Sequence, residues 1–129
     1  MEDLKLLFVY GTLKSGCSSE YADMLHSSAD FMGRASIAGR LYRIADYPGA
    51  VLSDKRADRV HGEVFQMHDP DALLEALDAY EGSSYERVWC PIEMEDGEQA
   101  TAWVYTYRES IEGKPQIESG VFDGGTASE

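Results

Sequence analysis

Cysteine, histidine and basic residues are all scarce in this chain, and each scarcity closes off a class of function. The two cysteines, Cys17 and Cys90, lie far apart and form neither a disulfide framework nor a Cys-x-x-Cys metal pair. They read as reduced thiols, at least one of them buried, in a reducing compartment. The three histidines, His26, His61 and His68, stand beside no obvious serine or cysteine nucleophile, and there is no Gly-x-Ser-x-Gly elbow. A Cys17–His pair assembled in space is the remaining route to nucleophilic catalysis; a plain structural cysteine in a serine-rich turn is the commoner case. No His-Glu-x-x-His occurs, so neither a metal nor a cofactor is expected. Gly11-Thr12-Leu13-Lys14-Ser15-Gly16 has glycines and a lysine but not the spacing or order of a phosphate-binding loop.

Positive charge is the next shortage. Eleven Lys and Arg face 24 Asp and Glu, a formal net charge of −13, and the cations are dispersed. A polyanion binder needs a basic patch, so no nucleic-acid partner is expected. An acidic surface commonly serves solubility alone. Apolar runs are only a few residues long, too short for a membrane-spanning helix. The acidic start, Met1-Glu2-Asp3-Leu4-Lys5, lacks the basic and apolar regions of a secretory signal, so a cytoplasmic location and no membrane association are expected.

What remains is an ordinary globular composition: 129 residues, 43% hydrophobic and 11% aromatic, enough for one domain with its own core. Lys5 to Tyr10 is an apolar, strand-forming run that ends at Gly11. From Glu20 the spacing of Tyr21, Met24 and Leu25 is helical, with Ser18 or Ser19 as the cap. Residues 35–44 and 60–67 read as strands, and Asp46-Tyr47-Pro48-Gly49 as a turn. The strongest helix signal begins at Asp69 in the cap position, with Pro70 in the first turn. Leu73, Leu74, Leu77 and Tyr80 form its apolar stripe, and Gly82 its stop. Residues 86–95 and 99–107 flank Asp96-Gly97 as a hairpin, with Pro91 marking an edge or a bulge. The expected domain covers 1–118, followed by a flexible acidic tail over 119–129. This order of elements predicts a mixed α/β (α+β) domain, a curved or barrel-like sheet with short flanking helices.

Two features carry chemistry. Val9-Tyr10-Gly11-Thr12-Leu13-Lys14 is a strand running into a glycine turn, where successive N–H groups can converge on an anionic oxygen. Its plainer reading is a strand-to-loop turn that uses glycine for geometry. Glu81 falls at the C-terminal end of the predicted helix, where the exposed carbonyls disfavour a carboxylate; burial against Tyr80 and Tyr85 would act in the same direction. A carboxyl raised toward neutrality suits proton shuttling. Its plainer reading is one solvated glutamate among many.

Tyr10-Gly11-Thr12-Leu13-Lys14 resembles the Tyr-Gly-(Ser/Thr)-Leu signature of the γ-glutamyl cyclotransferase-like proteins. That group includes the γ-glutamylamine cyclotransferases and the plant AIG2-like proteins. Tyr47-Pro48-Gly49-Ala50-Val51, Val60 to Phe65, Leu77 to Gly82 with Tyr85-Glu86-Arg87, and Ala102-Trp103-Val104-Tyr105 follow in the family's order. The resemblance covers roughly residues 6 to 107.

It implies a small barrel with a cavity at the Tyr10-to-Leu13 turn. The backbone there would bind a γ-glutamyl substrate, Glu81 would be the acid/base, and Tyr85 and Tyr105 would lie near the pocket. The implied reaction closes the γ-glutamyl group of an amine or amide to 5-oxoproline and frees the amine, with no protein nucleophile, metal or cofactor. The alternatives are a γ-glutamyl amide hydrolase or acyltransferase, and a non-catalytic module binding a γ-glutamyl group or small acid. Arg87 shapes the rim or pairs with an acidic neighbour. A monomer or weak homodimer is expected.

Overall fold

A computed structural model of the chain describes residues 5–11, 20–45, 47–55 and 57–122; Glu20 and Tyr21 are described by their backbone alone. Among the described residues, six strands and two helices follow one another as β1 (Leu6–Val9), α1 (Glu20–Ser28), β2 (Ala29–Arg43), β3 (Pro48–Leu52), β4 (Arg59–Met67), α2 (Pro70–Glu81), β5 (Tyr85–Met94) and β6 (Gln99–Tyr107). A single 3-10 turn, Gly82–Ser84, joins α2 to β5.

The sheet order is β3-β2-β4-β1-β6-β5, and a second pairing of β2 with β5 closes five of the strands into a barrel. Closure needs only Ala35 opposite Met94 and Ser36 opposite Glu93. Strand β1 lies in the middle, antiparallel to β4 and parallel to β6. β3 is an extra strand on the free side of β2.

Alternation along the strands divides the apolar residues between two cores. Phe8, Val60, Val64 and Val104 fill the barrel interior. Leu7, Val9, Phe65 and Met67 point outward and are covered by α1 and α2, through Leu25, Leu73, Leu74 and Leu77. This double burial explains why β1 is apolar at every position. Helix α2 begins as its sequence predicts: the Asp69 carboxylate accepts from the Ala72 N–H, and Pro70 occupies the first turn. The hairpin of β5 and β6 turns through Glu95-Asp96-Gly97, with Gly97 at φ 93° and the Met94 N–H donating to the Glu98 carbonyl at 2.8 Å. Pro91 lies where β6 alone pairs with β5, on the open side of the strand.

Four expectations change. Strand β2 starts at Ala29, ahead of residue 35, because Ala29–Phe31 pair with β4 on the far side of a bulge between Phe31 and Gly33. Pro48 and Gly49 open strand β3 rather than forming a turn. A Cβ on Gly49 would stand 2.7 Å from the Tyr107 Cβ, so this glycine serves a close approach of strands. Tyr80 leaves the buried stripe of α2 and is 37% exposed. Packing also continues beyond residue 118: the His61 N–H donates to the Gly120 carbonyl at 2.8 Å, and Phe122 is 1% exposed in the barrel core. The remaining tail, residues 123–129, and the Ser18 or Ser19 cap of α1 lie outside the described residues.

Candidate active site

The candidate site forms where α2 ends beside the first strand of the barrel. Gly82, at φ 78°, adopts a conformation that side-chain-bearing residues avoid, and its N–H closes the helix on the Asp78 carbonyl. Glu81 is therefore the last helical residue, at a corner where the chain turns through Gly82–Ser84 into β5. Across from it, β1 stops at Val9 and presents Tyr10 and Gly11. A cavity of about 450 Å³ lies between them. Glu81 is the only ionised or ionisable group in its lining besides the tyrosines, among the described residues.

Hydrogen bonds from distant parts of the chain fix the walls. The buried Tyr10 hydroxyl donates to the Tyr105 carbonyl at 2.6 Å and accepts from the Ala50 N–H at 3.1 Å, tying β1 to β6 and β3. The Tyr85 hydroxyl donates to the Pro48 carbonyl at 2.5 Å, and its ring meets Tyr107 edge-on at 5.4 Å. Pro48 in turn packs against Gly11, where a Cβ would approach its Cγ to 2.8 Å. One face of the site is thus held by three tyrosines and the start of β3.

Glu81 has the proton affinity its place would give it. Burial in the cavity wall, followed by the neighbouring negative charge of Asp78, pushes its carboxyl from 4.5 up to about 7. Desolvation is the leading cause, where the sequence put the helix end first. Asp78 is held in the opposite sense. The Arg87 guanidinium and the Tyr105 hydroxyl keep its carboxyl below the usual range against a smaller opposing effect of burial. Tyr10, Tyr85 and Tyr105 are all pushed upward, chiefly by burial, and so remain neutral phenols.

Of the residues singled out in the sequence, Tyr10, Gly11, Glu81, Tyr85 and Tyr105 come together around this one cavity. Thr12, Leu13 and Cys17 lie outside the described residues. Cys90 is buried in the barrel core, away from the cavity lining, and burial pushes its thiol up. No group of three metal-ligating side chains occurs among the described residues, and none of their helices is long and apolar enough to cross a membrane. Sequence reasoning missed Tyr47 and Ser84 as lining residues. Tyr80 reads from the sequence both as part of the buried stripe of α2 and as cover for Glu81, and the cavity lining agrees with the second reading.

A family model described as gamma-glutamyl cyclotransferase, AIG2-like, matches residues 7–124. The chain belongs to that family. It is 33% identical over 117 residues to the gamma-glutamylcyclotransferase family protein ytfP of Citrobacter rodentium, covering 88% of this chain and 91% of the relative. The solution structure of ytfP from Escherichia coli superposes with a TM-score of 0.65 at 34% identity, covering 92% of this chain and 96% of the other. The crystal structure of a mouse AIG2-like protein gives a TM-score of 0.73 at 24% identity, covering 95% and 90% of the two chains, and shares the fold. Family membership agrees with the barrel and its two short helices.

Proposed function

We propose that this protein is a γ-glutamyl cyclotransferase-type enzyme that converts the γ-glutamyl group of an amine or amide into 5-oxoproline and releases the free amine. The observation that carries this reading is Glu81, a carboxyl brought to about 7 in the wall of a cavity that opens beside Tyr10 and Gly11. A group that is neither fully protonated nor fully ionised near neutrality can both take and return a proton within one cycle.

The substrate supplies the nucleophile. Ionised Glu81 accepts a proton from the α-ammonium, and the freed amine attacks the γ-carbonyl carbon. A C–N bond forms, the carbonyl electron pair moves to oxygen, and a five-membered tetrahedral intermediate results. As the carbonyl re-forms, the bond to the departing nitrogen breaks, and protonated Glu81 gives that nitrogen its proton. The ring nitrogen, which keeps two hydrogens after it attacks, gives one of them to the regenerated Glu81 carboxylate, which hands it to the released amine. Two protons leave the α-nitrogen and two reach the departing nitrogen, so atoms and charge balance. The cavity selects a folded conformer in which amine and carbonyl are already close, which is a large part of the barrier in ring closure. Backbone N–H groups of Gly11, Thr12 and Leu13 are assigned to the developing oxyanion, each good donor contributing about 3 kcal/mol.

The deciding experiment incubates the purified protein with a panel of γ-glutamyl amines and γ-glutamyl dipeptides and measures 5-oxoproline. Release from one class, lost in Glu81→Gln, is the expected result. Glutamate in place of 5-oxoproline would point to the hydrolase reading, and saturable binding without turnover to the binding module.

A further inference from the structure

The closest charged neighbours of the proposed acid/base form a built cluster. The Asp78 carboxylate accepts from Arg87 Nε at 2.8 Å and from Arg87 Nη2 at 3.0 Å, a two-pronged pair. Tyr105 Oη donates a third hydrogen bond to Asp78 Oδ1 at 2.7 Å. The guanidinium lies over the Trp103 ring, 4.4 Å from its centroid, which fixes its plane. Asp78 stands three residues before Glu81 on α2, so the two carboxyl side chains share one face of the helix. The cluster therefore joins the last turn of α2 to β5 through Arg87 and to β6 through Tyr105.

We propose that Asp78, clamped by Arg87 and Tyr105, is the positioning residue that holds Glu81 in place and governs when it carries its proton. This rests on the reading of Glu81 as the acid/base. Two forces act together. The clamp pins the helix end to two barrel strands, so the glutamate cannot swing with a fraying last turn. The ion pair also places a negative charge near Glu81, with its compensating cation one side chain farther away. Across the cavity, the titratable groups that other elements present to Glu81 among the described residues are phenols: Tyr10 after β1, Tyr47 before β3, Tyr85 of β5 and Tyr105 of β6. Asp78 is thus the charge left to act on it, and the Arg87 cation paired with Asp78 would oppose that effect.

This opposition gives a test that a purely structural clamp would not pass. Glu81 is followed directly, by carbon-13 NMR of glutamate-labelled protein, with Glu81→Gln assigning its resonance. Asp78→Asn keeps an acceptor for Tyr105 but removes the negative charge, and the Glu81 midpoint is expected to fall by about half a unit or more. Arg87→Gln removes the cation, and the midpoint is expected to rise by a similar amount. Arg87→Lys keeps the charge without the fork and should stay near the parent value. Midpoints that do not move, or that move in the same direction in Asp78→Asn and Arg87→Gln, overturn the proposal. Should Asp78→Asn not fold, Arg87→Gln decides alone, since only a rise agrees. The titration needs no turnover, so it stands apart from the test of function. If the parent protein does release 5-oxoproline, the ionisation limb of kcat/KM moves with each midpoint.

Discussion

Glu81 makes the protein's stability depend on pH in a direction opposite to that of an ordinary ion-paired carboxylate. Its folded-state value of about 7 lies above the unpaired 4.5, so the folded protein holds this proton more tightly than the unfolded chain does. That stabilisation is complete below about 4.5 and is lost as pH rises through 7. Glu81→Gln keeps the shape without the charge. It should gain on the order of 2 kcal/mol over the parent at pH 8 and little at pH 4, measured by urea unfolding at both values. The same substitution is expected to lower turnover by about a hundredfold or more, since the proton shuttle is gone. Tyr10→Phe is a contrasting case. It leaves the buried Ala50 N–H without its acceptor and the Tyr105 carbonyl without its donor, and should cost about 1–3 kcal/mol at every pH.

At the scale of elements, α2 is the arm that carries the site, and Leu77 anchors it one turn before Glu81. Leu77 is fully buried in the core beneath the helices. Leu77→Ala should destabilise by about 2–5 kcal/mol in denaturant unfolding. The elements differ in how openly the sequence announced them. Helix α2 was legible because cap, first-turn proline, stripe and glycine stop are all local signals that agree. The β5–β6 hairpin was legible for a similar reason, through Asp96-Gly97. Pro48 and Gly49 misled because their local chemistry is that of a turn, while the close packing of Gly49 on Tyr107 sets their conformation. The tyrosine anchor was illegible: Tyr10 and Tyr105 are 95 residues apart, and no local pattern pairs them. The fork from Arg87 to Asp78 was open as one of two readings, and the fold decided it by turning β5 back beside the helix that precedes it. Glu81 and Tyr10 drew attention through the ordered set of family motifs; the depth that raises Glu81 is a property of the assembled cavity.

For the whole molecule, closure matters more than any single strand. The barrel interior is completed by Phe122, which lies beyond the last strand and is 1% exposed, with the Arg43 guanidinium 5.2 Å from its ring centroid. Composition alone placed it in a polar tail, because one aromatic among glycines and acids has no periodicity to reveal its burial. Phe122→Ala should cost about 3–5 kcal/mol, read as a lowered urea midpoint with the site residues untouched.

The parallel pairing of β1 with β6 also bears on how the protein is made. Leu7 and Phe8 pair with Trp103 and Val104, so synthesis must pass residue 104 before the second edge of β1 is covered. Until then a short apolar strand presents unpaired amides to any neighbouring nascent chain. The hazardous interval in the cell thus runs from the completion of β4 to the emergence of β6, and it is there that a holding chaperone would matter to yield.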